Sequence, residues 1–417
     1  MQKFTSILVI GFFMFFSHTV FAMLSMELTR GISGAIPITV KPFAIQGQTP
    51  PQDMMAIISN DLKNSGRFKI ASGSADDIVE GAIQQMGIDR YQVSFQLKEA
   101  FNKGKGASQQ TVLLNHKYIV SNDELRSLAH HISDAIYQQI TGIRGVFSTR
   151  LAYVVVQRAV GPTKYVLEVA DQDGYNPQPL LTSTDPIMSP AWSHDGKQIA
   201  YVSFENQHAA IYVEEVATGA RHLISEFRGI NGAPSWSPDG RKLALVLSKS
   251  GSPNIYVMDL ASRQLTQLTH DYYINTEPSW SPKGSSLIFT SNRSGSPQIY
   301  QINIASRTVT RLTYDGKYNA RASYTPDGNH ITMLNQESGL YNIGILDLDT
   351  GVFRVLTNSG SDNESPSIAP NGSMVLFGTL YNGRSVLGMV ATDGSVQIRL
   401  PARNGEVQDP AWSPFLA

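Results

Sequence analysis

Pro234-Ser235-Trp236-Ser237-Pro238-Asp239-Gly240 is the clearest copy of a phrase that recurs through the second half of this 417-residue chain. Copies begin at residues 190, 234, 278, 322, 366 and 410, so every step is 44 residues. A repeat of this length that is built from short strands and turns is typical of a β-propeller, with one blade for each repeat. The sequence therefore predicts a propeller over residues 146–417, which makes the chain mainly β.

One period contains four predicted strands. Residues 235–237 form the first strand, and a Pro-Asp-Gly turn leads to a second, aliphatic strand at residues 242–247. A third strand covers residues 254–259, and residues 263–269 alternate polar with apolar side chains, as an outer strand with one face in water should. We interpret the Trp and Asp-Gly residues of the phrase as blade-building residues and not as a catalytic signature.

The blade number follows from the aliphatic second strands, which occur six times, the first at residues 151–156 and the last at 374–377. The final copy of the phrase, residues 410–414, has no second strand after it, and the strand at 151–156 has no copy before it. The two ends are therefore predicted to complete one shared blade. Closure of this kind removes exposed sheet edges.

The N-terminus is predicted to be a cleaved secretory signal over residues 1–22. Lys3 precedes a short, almost uncharged apolar stretch, and Val20-Phe21-Ala22 provides small residues for cleavage. The apolar stretch is shorter than the about 20 residues of a spanning helix, so we expect a mature chain that does not span a membrane.

Composition narrows the function classes. The chain has no cysteine, which excludes thiol catalysis and cysteine metal sites, and its formal net charge of −1 offers no electrostatic case for binding nucleic acid. Neither a nucleophile elbow, nor a zinc-binding His-Glu-x-x-His helix, nor a phosphate-binding loop occurs. We therefore expect no enzymatic activity, no cofactor and no metal site.

Residues 23–145 lack the phrase and predict a small α/β domain. Strands are expected at residues 36–43, 91–101 and 110–120, and a helix at 52–65. Ser121-Asn122-Asp123-Glu124 is a predicted capping box for a second helix, on whose polar face we place His130 and His131. Residues 78–86 suit a helical face and a strand equally well.

The channel mouth of the propeller is the candidate binding surface. The residues that enter the inner strands include asparagine in four of six blades, which suits either loop geometry or a ligand-facing ring. Three carboxylates at these positions could attract a cation or a basic peptide: Glu277, Glu364 and Asp409.

Several stretches together resemble the TolB family, the periplasmic propeller proteins of the Tol-Pal system. They are Asp61-Leu62-Lys63-Asn64-Ser65-Gly66-Arg67-Phe68, Thr141-Gly142-Ile143-Arg144-Gly145-Val146-Phe147, Asn231-Gly232-Ala233-Pro234 and Asn275-Thr276-Glu277-Pro278. The resemblance implies a strand at residues 78–86 and a monomeric, non-enzymatic periplasmic adaptor that supports outer-membrane integrity and cell division.

The resemblance also implies two partners and their sites. Pal, the outer-membrane lipoprotein that holds peptidoglycan, is expected at the channel mouth, on Ile230, Asn231, Ala233, Asn275, Thr276 and Glu277. TolA, which reaches across from the inner membrane, is expected on the segment from residue 23 to residue 32, with the contacts at Met23, Leu24, Ser25, Met26, Glu27, Leu28, Thr29 and Arg30. Other outer-membrane proteins are further candidate partners.

Alternatives remain open at this point. A propeller lectin or glycan hydrolase of the envelope would need a carboxylate pair facing across the channel, and a general exported scaffold would have unrelated partners. The segment at residues 23–32 alternates apolar side chains, with Gly31 and Gly34 as hinges, so it could add as a strand to a partner or fold back between the domains.

Overall fold

The structure, a computed structural model, describes Leu24 and residues 26–31, 33–73, 75–99, 111–158, 161–336, 339–357, 360–401 and 405–416. The predicted signal at residues 1–22, together with Met23, Ser25 and Ile32, lies outside the described residues. The described chain forms a mixed sheet with two helices, here called the N-terminal unit, followed by six radially arranged sheets.

The N-terminal unit and the short strand before it contain these elements: β1 Glu27–Arg30, β2 Ile36–Val40, β3 Ala44–Gln46, α1 Met54–Asn64, β4 Phe68–Ile70, β5 Asp77–Gln85, β6 Arg90–Glu99, β7 Thr111–Ser121 and α2 Leu125–Thr141. The sheet order is β4-β2-β5-β6-β7, and β3 pairs with β5 beside β2. The strand predicted by resemblance at residues 78–86 is thus confirmed as β5.

Both helices bury an apolar stripe against this sheet. Leu62 of α1 and Ile132 of α2 are fully buried in the same core as Phe95 of β6. Asp53 caps α1, because its side chain accepts a hydrogen bond from the backbone N–H of Ala56 at 3.1 Å.

Two local expectations for α2 need correction. The capping box forms only in part: Glu124 accepts hydrogen bonds from the backbone N–H and the hydroxyl of Ser121, but no side chain caps the first turn of the helix. His130 is not on the polar face, since it is only 3% exposed and packs against α1, whereas His131 is exposed as expected.

The propeller has six blades, as predicted. The first holds β8 Arg150–Gln157, β9 Lys164–Asp171 and β10 Gln178–Ser183; the second, β11 Ile187–Trp192, β12 Gln198–Ser203, β13 Ala210–Glu215 and β14 Arg221–Ser225; the third, β15 Asn231–Trp236, β16 Lys242–Leu247, β17 Asn254–Asp259 and β18 Leu265–Gln267. The fourth holds β19 Asn275–Trp280, β20 Ser286–Ser294, β21 Ser296–Asn303 and β22 Val309–Arg311; the fifth, β23 Tyr318–Tyr324, β24 His330–Gln336, β25 Tyr341–Asp347 and β26 Phe353–Val355; the sixth, β27 Asn363–Ile368, β28 Met374–Tyr381, β29 Arg384–Ala391 and β30 Gln397–Leu400.

The last strand, β31 Glu406–Trp412, completes the first blade. It pairs antiparallel with β8, with Ala411 opposite Ala152 and Trp412 opposite Leu151. The prediction that the two ends share one blade is confirmed.

Three of the four tryptophans of the repeated phrase join neighbouring blades through their indole N–H groups. The indole N–H of Trp236 donates to the backbone oxygen of Ala191 in the preceding blade at 3.0 Å, and Trp280 donates in the same way to Ser235 at 3.1 Å. In the turn that follows, Asp239 accepts from the Ser237 hydroxyl at 2.6 Å, and Gly240 has a φ of +69°. These contacts support the interpretation of the phrase as structural.

The N-terminal strand lies on the propeller. β1 pairs antiparallel with β30 at the outer edge of the sixth blade, with Leu28 opposite Ile398. Leu24, just before it, is 3% exposed and belongs to the apolar core shared by the first and sixth blades. Of the two arrangements left open for this segment, the structure shows the folded-back one.

The predicted domain boundary near residue 145 falls between α2 and β8 and stays a prediction. At this junction Asp134 of α2 accepts hydrogen bonds from the backbone N–H groups of Phe147, at 2.8 Å, and Ser148, at 3.2 Å.

Candidate functional site: the channel mouth

Each inner strand carries a bulge at the channel mouth, and at each bulge one non-glycine residue has a positive φ. These residues recur every 44 positions: Ser189, Ala233, Glu277, Arg321, Ser365 and Asp409, with φ between 45° and 54°. Positive φ is uncommon for such residues and is retained where the surrounding structure imposes it. The bulges turn all six side chains toward one cavity of about 460 Å³ in the channel.

A chain of polar contacts connects five of the six positions. The Arg321 guanidinium donates to Glu277 at 2.9 Å and also donates to Ser365. Ser365 donates to Asp409 at 2.8 Å, and Asp409 in turn accepts from the backbone N–H of Ser189 at 3.2 Å. The sixth position is Ala233, so the ring of polar side chains has one apolar gap.

Arg321 changes the expected electrostatics of the mouth. Its guanidinium lies 2.9 Å from a Glu277 oxygen and 3.5 Å from an Asp409 oxygen. Arg321 therefore supplies the positive charge for which the sequence suggested a cation or a basic peptide. Glu364 lies at the exposed rim of the mouth, where desolvation of its carboxyl group and, second, repulsion from Asp409 raise its pKa. Sequence reasoning gave Arg321 no role, although it is the only basic residue among the six positions related by 44 residues.

The asparagines of the mouth serve loop geometry. Asn231 accepts from the Ser225 hydroxyl at 2.6 Å and from the backbone N–H of Phe227 at 2.9 Å. Asn275 donates to Asp271 at 2.6 Å and accepts from Arg293 at 2.9 Å. Both side chains are buried, so they shape the loops but cannot present polar atoms to a partner. Of the six predicted mouth residues, these two are not surface residues.

The remaining predicted residues lie at the surface beside exposed apolar side chains. Ile230 is 47% exposed, while Ala233, Thr276 and Glu277 are half-buried. The loops before β15 and β19 also expose large apolar side chains that sequence reasoning missed: Phe227, Tyr272, Tyr273 and Ile274. The repeat itself holds the signal for one of them, because Ile274 follows Ile230 by one period of 44 residues.

The docked N-terminal segment makes specific contacts along its length. The Thr29 hydroxyl donates to the backbone oxygen of Gln397 at 3.1 Å, and Glu27 lies 3.9 Å from Arg399. A Cβ atom added at Gly174, in the turn after β9, would lie 2.3 Å from the Cβ of Leu24. Leu24 therefore occupies a close-fitting position against the first blade. Met23 and Ser25 lie outside the described residues.

Comparison with known protein families agrees with this architecture. Residues 137–416 match the TolB beta propeller domain, and residues 24–75 match the TolB amino-terminal domain. The chain belongs to the TolB family.

Relatives of this TolB-family chain are named for the Tol-Pal system. "Tol-Pal system protein TolB" of Coxiella burnetii is 50% identical over 238 residues, which are 51% of this chain and 53% of the relative. The protein of the same name from Legionella pneumophila (strain Corby) is 49% identical over 238 residues, 53% of this chain and 54% of the relative. The chain spans about half the length of the curated relatives it matches.

A solved structure covers more of the chain. The crystal structure of TolB from Acinetobacter baumannii has 39% sequence identity and a TM-score of 0.86, over 94% of this chain and 100% of that one. The resemblance inferred from sequence motifs is thus confirmed.

Two further properties of the TolB-family chain bear on function. Among the described residues, no helix has both the length and the apolar character needed to cross a membrane. The described residues hold one group with metal-ligand chemistry, formed by Asp61, His130 and Asp173. Arg126 binds Asp173, and its positive charge opposes a cation there.

Proposed function

We propose that this TolB-family chain is a non-enzymatic adaptor of the Tol-Pal system in the periplasm. It binds Pal at the channel mouth and TolA through its N-terminal segment, and so supports outer-membrane integrity and constriction during cell division. The names of its relatives and the predicted secretory signal support this assignment.

The observation that carries the proposal is the exposed apolar surface at the mouth. Ile230 and Ile274 occupy equivalent places in two neighbouring blades, and Phe227, Tyr272 and Tyr273 are exposed in the same two loops. Exposed apolar and aromatic side chains grouped in this way are typical of protein–protein interfaces. Ala233 leaves room beside them, because a small side chain lets a partner approach the backbone closely.

The geometry refines the proposed Pal contacts. Ile230, Ala233 and Thr276 face the partner, while Asn231 and Asn275 hold the loops beneath them. Glu277 orients Arg321, with one of its oxygens also accepting from Thr290 at 2.8 Å. Its contribution to Pal binding is therefore mainly to keep the mouth in shape.

The channel carboxylates support the non-enzymatic assignment. A glycan hydrolase needs one protonated and one ionised carboxyl group on either side of the scissile bond. Glu277 and Asp409 are instead both ion-paired with one arginine, Arg321, at 2.9 Å and 3.5 Å. This arrangement suits a structural ring better than acid–base chemistry.

The proposed TolA site is β1, which in this structure is already paired with β30 of the propeller. The backbone of β1 is bonded to β30 along one edge, and we propose that TolA takes the groups of this edge, which become available only after β1 leaves. Whatever stabilises the docked form then weakens TolA binding by the same coupling free energy.

The Pal assignment is tested with two matched surface substitutions. Ile230 and Val355 are each 47% exposed, but Val355 lies on β26, the outer strand of the fifth blade. We expect Ile230→Asp to weaken Pal binding by about tenfold or more, because a carboxylate replaces an apolar contact, and Val355→Asp to leave it unchanged. Calorimetric titration with Pal, together with thermal melts of each variant, measures both effects. Unchanged affinity in Ile230→Asp at normal stability removes this face from the site.

A further inference from the structure

A buried ionisable group lies at the seam between the N-terminal unit and the propeller. His130 in the middle of α2 is 3% exposed, and its Nδ1 lies 2.8 Å from an oxygen of Asp61 on α1. Its other ring nitrogen, Nε2, is buried and has no hydrogen-bond partner among the described residues. Burial of a ring nitrogen without a hydrogen-bond partner costs free energy, so the charge state of the imidazole depends strongly on the groups around it.

The propeller contributes the second carboxylate. Asp173 lies in the turn between β9 and β10. A carboxylate oxygen of Asp61, a ring nitrogen of His130 and a carboxylate oxygen of Asp173 all lie within 4.8 Å of one another. Arg126, one turn before His130 on α2, donates to Asp171 at 2.9 Å and also to Asp173, and its guanidinium lies 3.8 Å from the centre of the Tyr175 ring. These contacts bring a cluster of three carboxylates, an imidazole and a guanidinium to the seam.

We propose that His130 is a proton-operated latch between the two units. The protonated imidazolium attracts Asp61 of its own unit and Asp173 of the propeller, which holds the seam closed. When the proton leaves, His130 no longer attracts Asp173, so the attraction across the seam weakens and the contact loosens, while the ion pairs of Arg126 with Asp171 and Asp173 remain.

The charged groups around His130 agree with this direction. Burial lowers the pKa of His130, but the attraction of Asp61, their hydrogen bond and the charge of Asp173 outweigh both burial and the repulsion of Arg126. The pKa of His130 therefore lies above its ordinary value of 6.5. Asp134, also on α2, adds a further carboxylate near His130, while Tyr118 of β7 packs its ring edgewise against His131 instead.

The pH dependence follows in sign. Burial raises the pKa of Asp61 against the attraction of His130, so both members of the pair bind protons more tightly when folded together. The contribution of His130 to the closed seam is therefore fully present below pH 6.5 and is lost as the pH rises through the folded pKa of His130.

The latch also lies next to the docked N-terminal segment. A cavity of about 30 Å³ between the units is lined by Asp61 and by Met26, and the side-chain amide of Asn64 lies 3.9 Å from the Met26 sulfur. Loosening of the seam is thus expected to reach the segment that precedes β1.

Hydrogen–deuterium exchange of the full chain tests the latch, with rates corrected for the intrinsic effect of pH. Between about pH 5.5 and about pH 8.5, on either side of the ordinary histidine range, we expect the turn at residues 172–175 and helix α2 to lose protection by about tenfold. His130→Gln should abolish this pH dependence, and His131→Gln, the exposed neighbour on the same helix, should retain it. A wild-type seam with equal protection at both pH values, or a His130→Gln seam that still responds, overturns the proposal.

A second measurement keeps the test decisive where His130→Gln fails to fold. Asp173→Asn preserves shape, removes one charge from the propeller side, and should lower the pKa of the His130 imidazole as followed by NMR titration in the full chain. An unchanged imidazole titration in Asp173→Asn shows that the propeller charge does not act on His130 and overturns the proposal.

Discussion

Arg321 is the residue at which the sixfold repeat departs most from its own pattern. The five equivalent positions hold small or acidic side chains, and Arg321 alone bridges three of its neighbours, Glu277, Ser365 and Asp409. Burial lowers the pKa of its guanidinium, but the two carboxylates outweigh burial and raise it, so the bridge keeps its charge. One side chain therefore ties the fourth, fifth and sixth blades to the first at the mouth.

Arg321→Gln should destabilise the propeller. It leaves Glu277 and Asp409 without their counter-charge in a partly buried place, and we expect the free energy of unfolding to fall by about 1–3 kcal/mol. Arg307→Gln is the matched control, because Arg307 also has a positive φ, 61° against 52°, but is exposed in an outer turn. Urea unfolding compares the two; equal losses contradict the assigned role of Arg321.

Single residues show where sequence reasoning succeeds and where it stops. The 44-residue period predicted which residues reach the mouth, because residues one period apart occupy equivalent positions in successive blades. It could not predict which side chains point outward: Asn231 and Asn275 have the polarity of surface residues but are buried by loop hydrogen bonds. His130 was misplaced for a related reason, since its buried position depends on Asp61, which lies 69 residues away along the chain.

At the scale of elements, β1 behaves as a removable strand. Its pairing with β30 extends the sixth blade to five strands, whereas the other blades have four. Leu24 anchors the segment where Gly174, with a φ of +81°, offers no room for a side chain. Alternation of Leu24, Met26 and Leu28 predicted a strand, but two partners could satisfy that pattern equally, and only the packing of Leu24 against Gly174 decides between them.

Gly174→Ala should release the segment. The new methyl group collides with Leu24 and the docked form loses stability, so TolA binding strengthens if TolA takes the released strand. Gly394→Ala is the control for backbone strain alone, because Gly394 has a similar φ of +76° and open space around it. Protease sensitivity of residues 24–31 and calorimetric TolA binding measure the effect. If the two alanine variants behave alike, Leu24 is not the anchor.

For the whole molecule, ring closure by β31 is the central structural fact. Trp412 is buried, and its indole N–H donates to the Thr149 hydroxyl at 2.9 Å. Its backbone N–H donates to the hydroxyl of Ser367 in the sixth blade at 2.9 Å. The 44-residue spacing and the unmatched ends predicted this closure from the sequence alone, because the strands that each repeat contributes can be counted and the two incomplete repeats together make one blade.

Removal of residues 410–417 should lower the melting temperature of the entire propeller. The truncation takes Trp412 from the core of the first blade and exposes the inner edge of β8, which affects all six blades through their shared ring. A chain that ends at residue 415 keeps Trp412 and should melt near the wild-type temperature. Calorimetry separates the outcomes, and an unchanged melting temperature after the longer truncation contradicts closure as a source of stability.

The same closure sets an order of events during biogenesis. Arg150 and Ser413 are hydrogen-bonded although 263 residues separate them, so the first blade cannot finish until the chain has been made and delivered almost completely. Contacts at such long range slow folding, and an unfinished sheet edge is prone to non-native pairing while it waits. Under the proposed export to the periplasm, in which the chain would cross a membrane unfolded, the ring would form only on the far side, and β8 would need protection until β31 arrives.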